Sequence, residues 1–178
     1  LVSARNRWIG TGVAVAIAVA ILVPMFRSDR PSSTGPSALA GTTAPVFEMR
    51  DARGSYTSLA SYRGKIVVMN LWASWCPPCR AEMPDLQRFQ EAYARYNVAV
   101  LGVNEGESTQ RASAFAKSLR ISFPIWVDAD QKYGRLYETV GLPTTVIIGA
   151  DGVVREGIDG PLTYAQMQAA VAPFVRKT

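Results

Sequence analysis

The sequence predicts an α/β domain, a central mixed sheet with helices on both faces. Helical and strand-like patterns alternate from about residue 45 to the C-terminus, as they do where helices cover both sides of a sheet. Two of the strand-like runs, KIVVMNLWA (65–73) and VAVLGVN (98–104), are almost continuously apolar, as in strands buried on both faces. The last two strand patterns, in TTVIIGADGVVREGI (144–158), flank a short Ala-Asp-Gly turn, so they run antiparallel and make the sheet mixed.

Taken in order, VFEM (46–49) and SYTS (55–58) flank the turn sequence RDARG (50–54) and predict a small opening hairpin. After the first buried strand, RAEMPDLQRFQEAYARYN (80–97) has helical spacing, with Met83, Leu86, Phe89 and Tyr93 on one stripe. Pro84 lies inside that pattern, where its missing N–H and its ring predict a kink. STQRASAFAKSLRI (108–121) predicts a helix that opens on a Ser108 or Thr109 cap and ends near Leu119. A shorter helix is expected within DQKYGRLYETVG (130–141), and TYAQMQAAVAPFV (163–175) closes the chain as a helix. There is no internal repeat.

Ahead of the domain the composition changes twice. Residues 8–26 carry no charge over 19 positions, and at about 1.5 Å per residue they would make roughly 28 Å of helix, close to the thickness of a bilayer core. Arg5 and Arg7 give that run a positive front. Two Ala-x-Ala patterns, at 18–20 and 38–40, are poorly placed for cleavage, so an uncleaved anchor is expected. With no cysteine besides Cys76 and Cys79, a lipoprotein anchor is excluded. Arg27 and Arg30 beyond the run nearly balance Arg5 and Arg7, so charge does not orient it. The expected organisation is a short N-terminal segment (1–7), a transmembrane anchor or uncleaved signal (8–26), a flexible Ser/Pro/Gly-rich linker (27–43) and a folded domain (44–178).

The net charge of +5 is mostly N-terminal. Residues 1–40 carry +3 (Arg5, Arg7, Arg27 and Arg30 against Asp29), which leaves +2 on the domain. No basic run or aromatic–basic patch accompanies it, so a nucleic-acid partner is not expected.

The chemistry concentrates in NLWASWCPPCRAEMP (70–84), which holds both cysteines of a chain that has no histidine. Cys76 follows a strand directly, and Pro77 and Pro78 suit the first turn of a helix, where no amide donor is missed. Cys76 is therefore expected at a helix N-terminus, where free N–H groups and the helix dipole favour a thiolate. Cys79 falls about one turn later, within reach of a disulfide. This placement makes Cys76 the nucleophile and Cys79 the thiol that resolves a mixed disulfide. A tetrahedral zinc site lacks the ligands it needs, and the absence of histidine removes a Cys-His hydrolase. Two buried structural cysteines, or a two-coordinate soft-metal site, remain as rivals.

WASWCPPC (72–79) with GLPTTVII (141–148) resembles the thioredoxin superfamily. With VNEGES (103–108) and FPIWVDAD (123–130) added, residues 44–175 are similar to the membrane-anchored TlpA/ResA/CcmG family of thiol–disulfide oxidoreductases, above all its ResA-type members. That resemblance implies a thioredoxin-like fold with an added N-terminal β-hairpin and a central insert, preceded by one transmembrane helix. It implies that Pro143 follows a cis bond from Leu142 in the loop facing the redox pair, where an extended substrate segment docks. Trp75, Pro77, Pro78, Leu142 and Pro143 are the expected substrate contacts, with one of Trp72 and Trp75 in the core. Asn70 stands where thioredoxin has a titrating aspartate. Glu82 matches a glutamate beside the thiols and is expected to act with Cys76 and Cys79 by managing protons; on its own it also reads as an ordinary first-turn helix carboxylate.

The implied activity is reduction of protein disulfides outside the cytoplasm, by a single-pass membrane protein. Apocytochrome c is the implied substrate and a membrane thiol–disulfide carrier the implied electron donor. No cofactor or metal is expected. The same fold acting on other envelope proteins, or running as an oxidant, is the alternative within the enzymes.

Overall fold

The computed structural model describes residues 39–46 and 48–175. The apolar run of residues 65–73 becomes the centre of a seven-stranded sheet. The strands are β1 (Glu48–Asp51), β2 (Tyr56–Ser58), β3 (Ile66–Trp72), β4 (Val98–Glu105), β5 (Ile125–Asp128), β6 (Thr144–Ile148) and β7 (Val154–Asp159), in the spatial order β2-β1-β5-β4-β3-β6-β7. β3, β4 and β5 are mutually parallel, while β6 runs antiparallel to β3, and β7 to β6. The hairpin β1–β2 adds to the far edge, with β1 antiparallel to β5. The sheet is mixed, as the Ala-Asp-Gly turn requires.

Among the described residues four α-helices cover it: α1 (Pro77–Tyr93), α2 (Thr109–Ser118), α3 (Lys132–Leu136) and α4 (Tyr164–Val171). Side chains alternate across a strand, so β3 feeds two cores. Val68 and Trp72 meet Met83, Leu86 and Phe89 of α1, Ala112 of α2 and Met167 of α4. Val67, Met69 and Leu71 meet Trp126, Tyr133 and Tyr137 on the other face. Asn70 shares its face with Val68 and Trp72 and therefore points towards α1. The helix stripe foreseen at Met83, Leu86 and Phe89 is buried, whereas Tyr93 is half-buried and stacks on Phe89 with ring centroids 4.3 Å apart.

Several boundaries differ from those expected. The first strand includes Arg50 and Asp51, read from sequence as turn residues, because both pair with β5. Asp51 then closes the turn itself, its Oδ1 accepting the N–H groups of Arg53 and Ser55 at 2.9 Å. α1 runs unbroken through Pro84. Ser108 caps α2, its side chain accepting the N–H of Arg111. α4 opens with a reciprocal capping box between Thr163 and Gln166 and stops before Pro173, which lacks the donor to extend it.

The chain is also pinned to the domain before Ala44. Gly41 N donates to Val154 O at 2.8 Å, Val154 N donates to Thr42 O at 2.9 Å, and Thr43 bridges Val153. Residues 39–43, assigned by composition to the linker, thus extend the β7 edge. Long-range pairing of this kind leaves no mark on local composition.

Among the described residues no helix is long and apolar enough to cross a membrane. The expected anchor at 8–26, its N-terminal segment at 1–7 and most of the expected linker at 27–43 lie outside them.

Candidate active site

β3 ends at Trp72, fully buried, and the chain turns through Ala73 and Ser74 to Trp75, which is 59% exposed. Of the two tryptophans, Trp72 is core and Trp75 is surface. Cys76 is the N-cap of α1, in an extended conformation, and its Sγ accepts the N–H of Cys79 at 3.3 Å. Pro77 and Pro78 occupy the first helical positions and are exposed. Cys76 and Cys79 form a disulfide with Cα atoms 5.3 Å apart. Cys79 is completely buried, while Cys76 keeps 3% exposure beside Trp75. An incoming group therefore meets Cys76 first.

The sheet brings the proline loop to the same end. Leu71, near the C-terminus of β3, is in register with Thr144, the first residue of β6. The loop before Thr144 thus lies beside the turn that carries the cysteines. The Leu142–Pro143 bond there is cis. Leu142 packs against the core cluster that contains both cysteines. Pro143 is buried, with its carbonyl accepting the N–H of Gly160 at 2.9 Å.

Glu82 is 4% exposed and lies three residues past Cys79 on α1. Helix spacing puts the two on one face. It stands in the second turn, so the reading as a first-turn dipole partner does not apply; α1 has no acidic residue in its first turn. Its Oε1 accepts from Asn70 Nδ2 at 2.8 Å, and its Oε2 from the backbone N–H of Leu162 at 2.9 Å. Burial pushes the carboxyl up to about 7, with the bonds from Leu162 and Asn70 acting in the opposite direction. A group poised there takes up and releases protons at neutral pH.

Asn70 spends its other amide hydrogen on Thr145 Oγ1, at 3.1 Å, and its own Oδ1 has no hydrogen-bond partner among the described residues. The position that titrates in thioredoxin here holds a fixed donor. Sequence reasoning found Asn70 and Glu82 but not their bond. It missed Thr145 and Leu162 altogether, because both arrive through tertiary contacts 75 and 80 residues away in the chain.

A second buried carboxylate also escaped notice. Glu107, within the VNEGES motif, accepts from Ser74 N and Ser74 Oγ, each at 2.6 Å. It further accepts from Asn104 Nδ2 at 2.8 Å and pairs with Arg111 Nε at 2.7 Å. Burial works against the charge, but the bonds from Asn104 and Ser74, together with Arg111, outweigh it and hold the carboxyl below its usual range. A third, Glu105, is pushed up to about 8 by burial and by the neighbouring Asp128. Among the described residues no group of three or more His, Cys, Asp or Glu side chains could hold a metal ion.

A redox disulfide at a helix N-terminus, faced by a cis-proline loop at one end of a mixed sheet, invites comparison with known proteins. The model of the AhpC/TSA family matches residues 40–157. The chain belongs to this family. It is similar to proteins named thiol-disulfide oxidoreductase ResA. The one from Geobacillus kaustophilus is 37% identical over 128 residues, covering 72% of this chain and 74% of that protein. The one from Bacillus subtilis is 30% identical over 163 residues, covering 92% of this chain and 90% of the relative. Among solved structures, a putative thiol:disulfide interchange protein DsbE from Chlorobium tepidum superposes with a TM-score of 0.72 at 27% identity, covering 77% of this chain and 98% of that one. The fold of this AhpC/TSA member is thioredoxin-like, and its activity is thiol–disulfide exchange.

Proposed function

We propose that the chain is a membrane-anchored disulfide reductase whose domain faces the extracytoplasmic side, and that it reduces the paired cysteines of apocytochrome c. The observation that carries the reductase reading is the placement of the Cys76–Cys79 disulfide across the first turn of α1, with Cys79 buried one helical turn from Glu82.

The exchange runs in two displacements. In the reduced enzyme the Cys76 thiolate attacks one sulfur of the substrate disulfide. A mixed disulfide forms, and the other substrate sulfur leaves as a thiolate that takes a proton. Cys79 then loses its proton and attacks Cys76 Sγ, which closes the Cys76–Cys79 bond and frees the second substrate thiol. Two electrons pass to the substrate. Glu82 is suited to accept the proton that Cys79 gives up, because its proton affinity lies near neutrality. Pro77, Pro78, Trp75, Leu142 and Pro143 frame the approach to Cys76.

The direction of electron flow follows from which state the protein stabilises. A strong oxidant stabilises its reduced form, through a thiolate of low proton affinity. Here the helix terminus favours a thiolate at Cys76, but a carboxylate at Glu82 disfavours one at Cys79. A buried carboxyl beside the dithiol withholds the thiolate stabilisation that a strong oxidant relies on, which favours reduction of the substrate. An electron donor is then required, and a membrane thiol–disulfide carrier supplies electrons to this side of a bilayer. The anchor reading draws support from the relative in Bacillus subtilis, whose match of 163 residues is longer than the 152 residues from 27 to the end and so reaches into the apolar N-terminal run.

The test is the equilibrium reduction potential of the Cys76–Cys79 couple in the full chain, with reduction of oxidised apocytochrome c measured alongside. A potential near about −270 mV supports a reductant, and one near about −120 mV means an oxidant and reverses the proposed flow. A reducing potential without apocytochrome c reduction would retain the direction and remove the substrate.

A further inference from the structure

The segment between β4 and α2 crosses to the redox turn, and Glu107 is its point of attachment. This residue is 7% exposed, accepts three hydrogen bonds, two of them from Ser74, and pairs with Arg111. Ser74 is therefore held by both its backbone N–H and its hydroxyl, and the Arg111 Nε that pairs with Glu107 also donates to Ser74 Oγ at 3.1 Å. Bonds to a charged acceptor belong to the strong class, and burial keeps water from competing for them. Two residues further, Cys76 N donates to Ala73 O at 3.2 Å, so the turn is tied on both sides of Trp75.

Trp75 differs from its neighbours. Ala73, Ser74 and Cys76 are buried, while the Trp75 indole is 59% exposed. Most of its surface is open, and its backbone is carried by a turn held on both sides. A wide apolar surface on a tethered turn beside a reactive sulfur suits a protein substrate, because a tryptophan side chain has only two torsions and loses little freedom when a partner docks. A small disulfide reaches Cys76 without needing such a wall.

We infer that Glu107 is a positioning residue for thiol–disulfide exchange: through Ser74 it fixes the turn before Cys76 and so holds the Trp75 indole as a docking wall for protein substrates. The inference rests on the reading of Trp75 as a substrate contact at a reductase site. It gives the VNEGES segment a role that its position in the chain does not disclose. Arg111 is the counter-ion that keeps the Glu107 charge in place, and Asn104 completes the set of donors.

The experiment compares two substrates on the full chain and its variants. Insulin, reduced with dithiothreitol as the electron source, reports on a protein disulfide. The rate of the reduced chain with the small aromatic disulfide 5,5′-dithiobis(2-nitrobenzoate) reports on the thiol alone. Glu107→Gln is expected to lower kcat/KM for insulin about tenfold, mainly by raising KM, with the small-disulfide rate unchanged within about twofold. Ser74→Ala, which removes one of the two bonds and keeps the N–H, is expected to show a smaller loss of the same kind and serves if Glu107→Gln does not fold. In the Trp75→Ala background Glu107→Gln is expected to cost nothing further, since the group it positions is gone.

Equal losses on both substrates would place Glu107 at the thiol and overturn the inference, as would no loss on either, or an undiminished loss in the Trp75→Ala background. Trp75→Ala without effect on insulin would remove the docking wall and the inference with it. A wild-type chain that reacts with the small disulfide but not with insulin would remove the docking wall and overturn the inference, whereas one inactive on both would overturn the reductase reading itself.

Discussion

Glu82→Gln tests the buried carboxyl directly, and the oxidised chain isolates it because disulfide-bonded cysteines do not titrate. Burial raises the folded-state value from 4.5 to about 7. A carboxyl whose folded value lies above its unfolded one binds more protons in the folded state, so its contribution to stability is fully present below pH about 4.5 and is lost as pH rises through about 7. The 2.5-unit difference corresponds to about 3.4 kcal/mol, of which about 2.5 kcal/mol falls between pH 5 and pH 8. With 4% exposure, solvent screening does not reduce it much. In the glutamine variant one side-chain oxygen remains to accept from Asn70 or Leu162, and one of those donors is left without its partner. That loss costs about 1–3 kcal/mol but does not depend on pH, so it cancels when each protein is compared with itself. Glu105, raised to about 8, adds a slope of the same sign to both proteins and cancels as well. The assay is urea unfolding of the oxidised full chain at pH 5 and pH 8. The wild type is expected to lose about 2.5 kcal/mol more than Glu82→Gln across that interval. Equal losses would show that Glu82 does not titrate between those values, and would remove the proton-handling role assigned to it.

Two further outcomes are expected. Cys79→Ser should stop the exchange after the first displacement, so that a covalent adduct with a peptide disulfide accumulates in non-reducing mass spectra while Cys76→Ser forms none; adducts of equal yield in both variants would reverse the assignment of nucleophile and resolving thiol. Gly102→Ala on β4 would place a Cβ 2.8 Å from Ile125 Cδ1, 3.0 Å from Trp72 Nε1 and 3.1 Å from Phe123 Cε2. Overpacking of that kind costs about 1–3 kcal/mol, and an unchanged urea midpoint would mean that the core around Trp72 yields more easily than its burial implies.

Much of this protein was decided locally and could be read from the chain. Cys76 caps a helix because a strand ends just before it and two prolines start the helix just after it, and both features are written in adjacent residues. The burial of β3 on both faces follows from its continuous apolar run, and the stripe on α1 from helical periodicity. The turn after Ile148 forces β7 antiparallel for the same local reason. Pro143 was placed by the resemblance of its loop to the thioredoxin pattern, and the peptide bond before proline is the one that tolerates the cis form.

The tertiary structure decided what depends on residues far apart. Glu82 reads as an ordinary helix glutamate until the fold buries it between Asn70 on β3 and the N–H of Leu162 ahead of α4; only desolvation then raises its proton affinity. β1 extends through Asp51 because β5 lies beside it, and residues 39–43 become part of the domain because the β7 edge offers them donors and acceptors. Glu107 is a charged residue in a loop by sequence, and the anchor of the Ser74–Trp75 turn once β3 and β4 lie side by side. Local sequence settles backbone conformation and the positions of the reactive groups. Burial and long-range hydrogen bonds settle the chemistry of those groups, because both are properties of what the folded chain places around them.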